Sequence, residues 1–353
     1  MIRFLQRVLG LTGLLAQMAP ATSAAPVVPP GSRLVHVHDP STVVRCGEDF
    51  WVFSTGPGLP SFHSRDTVNW EPGPHVFDRA PDWTWQAVPA HREANFWAPD
   101  VIRLGDRYLL YYAVSTFGAN VSAIGLAVSP TLDPADAHYR WTDKGPVVRS
   151  KASDDFNAID PAVMREADGK LWLSFGSYWS GIKLIQLDPQ TGQRLSANPR
   201  TYALAMAENI EAPYIFQHGG YYYLFVNWGR CCRGVNSTYS IHLGRSGKIT
   251  GPYLDRAGQP MLLGGGGLFL GTAGAFIGPG HAGIFSYAGR DWFSCHFYDG
   301  THGGRSTLAV LPLTWGADGW PAIEKDHPAA GKNRLTEPAL TPSASPVPAD
   351  RTP

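Results

Sequence analysis

The chain of 353 residues carries 29 basic and 29 acidic side chains, a formal net charge of zero. That balance lacks the electrostatic footprint of a nucleic-acid binder or of a protein steered to anionic membranes. Charged residues make up only 16%, whereas glycine (39), proline (30) and aromatics (12%) are abundant, as in chains of many short strands joined by turns.

Residues 1–25 read as an export signal. Arg3 and Arg7 precede the apolar run VLGLTGLLAQMA, and Ala21-Thr22-Ser23-Ala24-Ala25 offers small residues for cleavage. The run is too short to span a bilayer comfortably, so a secreted protein, extracellular or periplasmic and free of membrane, is expected. PVVPPGSR is an extended lead-in. One catalytic domain is expected over residues 31–334, and the Pro/Ser/Thr-rich tail over 335–353 reads as disordered.

Between leader and tail the chain repeats one unit five times. The copies are HDPSTVVRCGEDFWVFSTG from His38, WAPDVIRLGDRYLLYYAVS from Trp97 and IDPAVMREADGKLWLSFGSY from Ile159. IEAPYIFQHGGYYYLFVNWG follows from Ile210, and a weaker HAGIFSYAGRDWFSCHFYDG from His281. Each is a short apolar strand, a polar turn with glycine and an aromatic-rich strand, which is a hairpin signature. Units of roughly 50–70 residues suit four-strand blades better than two-helix repeats. Segments such as SAIGLAVSP and STYSIHLGRS would supply the outer strands. The expected fold is all-β, a five-bladed β-propeller, whose radial packing leaves only short, protected edges.

In such a ring the innermost strands converge on the axis. Ahead of their prolines the copies carry Asp39, Trp97, Asp160 and Glu211, so three carboxylates from three blades are expected to face one cavity in register. A single Asp-Pro usually only caps a turn; three acids across repeats point to acid–base chemistry, because like charges in a partly dry funnel raise at least one pKa. Asp100, Asp154, Asp155 and Asp299 read as structural.

The aromatics Phe96-Trp97, Phe117, Tyr178-Trp179 and Trp228 fall at the ends of inner strands, where flat rings could pack on the C–H faces of sugars. Asn157, Ser177 and the backbone at Gly118 are candidate partners for sugar hydroxyls. His281 stands at the axial place of the fifth copy and could ligate a metal; since calcium prefers oxygen ligands, the ion would be mostly hydrated. His38 could tune Asp39, and His296 is expected to pack within its blade. Cys231-Cys232 could close a strained ring or stay free, and a Cys46–Cys295 bridge is conceivable.

Seven segments in order, VHDPS, NFWAPD, NAIDP, SYWSGIKL, IEAPYIF, CCRGVNSTY and GPGHAG, resemble glycoside hydrolase family 43 and its endo-acting α-1,5-L-arabinanases. The likeness runs from about Val35 to Pro312. It implies a five-bladed propeller that cuts internal α-1,5-L-arabinofuranosyl linkages of arabinan, the pectin side chain, with inversion. It implies Asp39 as general base, Glu211 as general acid and Asp160 as the residue that raises and orients the acid. Substrate contacts would be Asp39, Gly118, Asn157, Ala158, Ile159, Asp160, Ser177, Tyr178 and Trp179, with a water-coordinated Ca2+ ion beside His281. A monomer acting on a polysaccharide is expected. The alternatives are an exo-acting α-L-arabinofuranosidase or β-xylosidase of the same fold, or a non-catalytic sugar-binding propeller. The variable loops that shape the cleft ends decide among the enzymes.

Overall fold

The structure, a computed structural model, describes residues 34–91 and 93–324. The expected leader, the start of the lead-in and the tail lie outside them.

Every repeat folds as the sequence pattern dictates. β1 (Val44–Cys46) and β2 (Asp49–Phe53) form the first hairpin, followed by the two-residue β3 (Gly56–Pro57), then β4 (Ser61–Ser64) and β5 (Glu71–Pro72). A five-residue helix, α1 (Trp83–Ala87), precedes β6 (Asn95–Leu104), β7 (Arg107–Val114), β8 (Ser122–Ser129) and β9 (Thr142–Ser150). Next come β10 (Ala162–Arg165), β11 (Leu171–Phe175), β12 (Ile182–Leu187) and β13 (Thr201–Ala205). β14 (Glu211–His218), β15 (Tyr221–Trp228), β16 (Ser240–Ser246) and β17 (Gly267–Leu270) follow them. The last set is β18 (Phe276–Tyr287), β19 (Arg290–Asp299), β20 (Arg305–Trp315) and β21 (Pro321–Ile323). These strands make five antiparallel sheets in simple up-and-down order, with β3 added to the inner edge of the second. The architecture is a five-bladed β-propeller.

Five apolar clusters fill the seams between blades, and they account for ring closure. Trp51, Phe53, Phe96 and Tyr112 join blades one and two, and Leu109, Tyr111, Leu171 and Leu173 join two and three. Trp172, Leu184, Ile215 and Leu224 join three and four, while Phe225, Leu243, Phe293 and Leu311 join four and five. The ring closes where Val35, Val37, Phe50 and Val52 meet Leu308, with a backbone bridge from His36 to Thr307. Burying a side chain of this size stabilises by about 1.5–3 kcal/mol. Each blade is therefore held by both of its neighbours. Among the described residues no helix is long and apolar enough to cross a membrane.

The cysteine pairings do not extend across blades. Cys46 lies 3.5 Å from Thr131 Oγ1 in the seam of blades one and two, whereas Cys295 is fully buried between blades four and five. All four cysteines are free.

Candidate active site

One backbone device recurs in all five blades at the axis. Asp39, Ala98, Asp160, Ala212 and His281 each adopt a left-handed conformation, with φ between 44° and 56°. Such a conformation costs a non-glycine residue on the order of 1–2 kcal/mol. In three blades it coincides with a register shift: Glu211 and Tyr214 pair with Asn227 and Phe225, so three inner-strand residues span two on the partner. The same shift separates Trp97 from Asp100 and Gly280 from Gly283. A bulge of this kind re-aims side chains at a strand end. Here it turns them toward the axis.

This corrects the expected register. Asp39, Asp160 and His281 are equivalent, but Ala98 and Ala212 hold that place in blades two and four. Glu211 and Trp97 sit one residue earlier. The three acids do converge on one cavity of about 690 Å³; they reach it from two backbone positions rather than one.

The blade-one side of the cavity is built from histidine. His38 Nδ1 pairs with Asp39 Oδ2 at 2.8 Å, Thr55 donates to the same oxygen at 2.7 Å, and His281 Nδ1 faces Asp39 Oδ1 at 3.0 Å. Burial alone would raise the Asp39 pKa, but the charges of His38 and His281 outweigh it and hold the carboxyl well below its usual range. Reciprocally, burial would lower His38, and Asp39 overcomes it to raise that imidazole to about 10. His281 is also raised, burial again being outweighed by Asp39. His296 behaves differently. The Asp39 N–H donates to its Nδ1 at 3.2 Å, so that nitrogen bears no proton, and burial followed by the charge of His38 keeps the ring neutral. His296 is thus buried in its blade as expected, yet it also fixes the Asp39 backbone. Donor atoms of His38, Asp39 and His296 lie within 4.8 Å of one another.

The opposite side carries no cation of its own. Glu211 accepts from Ser177 Oγ at 2.8 Å and from Tyr239, and Asp160 Oδ2 accepts from the Ala212 N–H at 3.1 Å. Burial is the largest influence on both acids and raises both pKa values. For Asp160 the neighbouring Glu211 and Asp39 charges add to the rise, and His281 partly offsets it. The Glu211 charge is among the influences on Asp160, so the titrations of the two carboxyls are linked.

Of the expected sugar contacts, Trp97, Phe117, Gly118, Asn157, Ile159, Ser177, Tyr178 and Trp179 line the cavity. Trp97 and Phe117 stand with ring centroids 4.8 Å apart, and Phe117 is 83% exposed. The Asn157 amide donates to Ala119 O, while its Oδ1 has no partner and is available to a hydroxyl. Three residues are not brought in. Phe96 faces the opposite side of its strand and is fully buried against Phe77 and Tyr112. Ala158 is buried in the seam of blades two and three, and Trp228 stacks on His242 at 3.7 Å. Asp100 is structural: its oxygens accept the Thr42 and Val163 N–H groups and so tie blades one and three to blade two.

Residues 34–321 match the family model described as glycosyl hydrolases family 43. The chain is 40% identical over 308 residues to the extracellular exo-α-(1→5)-L-arabinofuranosidase of Cellvibrio japonicus, covering 84% of this chain and 88% of the relative. It is 40% identical over 311 residues to the extracellular endo-α-(1→5)-L-arabinanase 1 of Bacillus subtilis, covering 85% and 92%. Among solved structures, an exo-1,5-α-L-arabinanase from a bovine ruminal metagenomic library superposes with a TM-score of 0.79 at 39% identity, covering 83% of this chain and 98% of that one. The chain belongs to glycoside hydrolase family 43.

For a family 43 hydrolase, several residues that hold the site stand outside the proline register of the repeats. Thr55, which holds Asp39 and also accepts the Ala98 N–H at 2.8 Å, follows β2. Tyr239 precedes β16, a third strand, and Asn227, whose Oδ1 accepts the His281 N–H at 3.1 Å, lies within a run of aromatics. A polar residue in the hairpin copy that faces the axis was the available signal for Asn227; nothing local marks Thr55 or Tyr239.

Proposed function

We propose that the protein is a secreted, inverting endo-α-1,5-L-arabinanase. The observation that carries the mechanism is the opposed settings of Asp39 and Glu211 in one cavity, one carboxyl lowered by the imidazoles against it and the other raised by burial. Asp39 accepts a proton from water as the oxygen attacks the anomeric carbon; Glu211 delivers its proton to the glycosidic oxygen as that bond breaks. Inversion needs the two carboxyls roughly 6.5–9.5 Å apart so that water fits between them, and placement on different blades suits such a gap. The negative charge of Asp39 favours the oxocarbenium-like transition state. Asp160 keeps the Glu211 proton in place by making a second negative charge costly nearby.

Arabinan as substrate is supported by the names of both relatives, and secretion by their description as extracellular together with the leader-like first 25 residues. The endo reading is favoured by aromatic rings on two blades, Trp97 with Phe117 and Tyr178 with Trp179, along one open cavity. The exo reading has its own support in the exo-acting relatives. A time course of products from linear arabinan separates them: mixed short oligomers at early times are expected, and arabinose alone would sink the endo assignment.

A hydrated calcium ion is proposed beside His281. The donor set fits one protein ligand only: Nδ1 faces Asp39, and Nε2 would ligate an ion once the ring is neutral, the ion's charge then replacing that of the imidazolium, with water as the remaining oxygen ligands. When bound, such an ion supplies positive charge near the three acids.

A further inference from the structure

Cys231 and Cys232 line the same cavity as Glu211, Tyr178 and His38, and neither the acid–base machinery nor the aromatic platforms uses them. Their sulfurs lie 2.7 Å apart, well inside the roughly 3.5–4.0 Å of ordinary non-bonded contact. Cys232 is also tied to the base side of the site. Its Sγ is 3.7 Å from His38 Nε2, and its N–H donates at 2.6 Å to Tyr298 OH, which itself contacts His38 Nε2 at 2.9 Å. His38 in turn holds Asp39. The two thiols thus sit at the rim of the cleft, partly open to solvent, on a short turn that reaches Asp39 through His38. Cys46 and Cys295 have no such neighbour among the described cysteines, and Cys295 is fully buried.

We propose that Cys231 and Cys232 form a redox-active pair that closes to a vicinal disulfide in the wall of the substrate cleft. The oxidant is a low-molecular-weight disulfide, as found in oxidising compartments. The Cys232 thiolate attacks one sulfur of that disulfide, breaking its S–S bond and releasing one small thiol. The Cys231 thiolate then attacks the Cys232 sulfur of the mixed disulfide, forming the intramolecular bond and releasing the second thiol. The two protons leave with the two released thiols, and the pair has lost two electrons. Closure takes the Cys232 thiol away from His38 and fixes the turn between Arg230 and Arg233 against the cleft, giving sugar a rigid, weakly polar surface.

The test treats the full chain with oxidised or reduced glutathione, alkylates remaining thiols and maps them by mass spectrometry; trypsin cuts at Arg230 and Arg233 and isolates the pair. After oxidation the peptide is expected unlabelled and lighter by two hydrogen atoms, and after reduction both cysteines are expected labelled. Labelling of both regardless of treatment, or a stable mixed disulfide with glutathione alone, would overturn the proposal. The second arm rests on the arabinanase reading. Oxidation should lower KM for linear arabinan about threefold or more with a smaller change in kcat, and Cys232→Ser should abolish the response. An unchanged KM in the oxidised wild type would overturn the role in the cleft. Arabinan cleavage by the reduced protein tests the enzyme assignment separately, so failure of one is distinguishable from failure of the other.

Discussion

The two walls of the cavity present the same kind of group, a buried carboxyl, with pKa values moved in opposite directions. Asp39 is surrounded by His38, His281 and the Thr55 hydroxyl, and the imidazolium charges outweigh the burial that would protonate it. Glu211 and Asp160 receive neutral donors, Ser177, Tyr239 and the Ala212 N–H, and burial prevails. Burial is similar on the two sides. What differs is whether a cation lies within contact, and in the proposed mechanism that difference divides the labour between base and acid.

The comparison breaks most visibly when either partner is removed. Asp39→Ala and Glu211→Ala should each reduce kcat on linear arabinan by about 10²–10⁴-fold or more with folding retained; steady-state kinetics with circular dichroism checks this, and substantial residual turnover in either would contradict the assignment. Tyr239→Phe probes the acid side more gently. Its hydroxyl lowers the Glu211 pKa, so its loss should move the alkaline limb of the pH–kcat/KM profile to higher pH and cost about tenfold in kcat. A limb that moves to lower pH would show that Tyr239 supports the protonated acid instead. Chelation has the smallest expected effect, a few-fold loss of activity and a lower Tm. Activity and melting curves that both ignore the chelator would count against an ion at His281.

Sequence periodicity revealed the blades because each inner hairpin alternates on its own and needs no distant partner to be recognised. The residues that close the ring were legible only as apolar positions; their assignment to seams required the fold. The site was partly legible. Asp39, Asp160 and His281 share a repeat position, and their convergence follows from that alone. Glu211 stands two residues before its proline where Asp39 and Asp160 stand one, an offset visible in the spacing. What the spacing does not encode is the left-handed φ and the bulge at Ala212 that let this earlier position reach the same cavity. The same bulge geometry separates Trp97, which reaches the cavity, from Phe96, which the adjacent seam absorbs. Thr55 and Tyr239 reach the acids from outside the inner hairpins, where the sequence offers nothing to distinguish them from other turn and strand residues.

The asymmetry between the walls is tested most directly by the pH dependence of kcat/KM for linear arabinan in Asp160→Asn beside the wild type. In the proposed mechanism Asp39 acts ionised and Glu211 protonated, so the acidic limb would follow Asp39 and the alkaline limb the Glu211–Asp160 pair. With Asp160 neutralised, Glu211 titrates without a like charge beside it and its pKa falls. The alkaline limb should move to lower pH while the acidic limb stays in place. An unchanged alkaline limb, or a shift of both limbs together, would contradict the division of the cavity into an acid side and a base side.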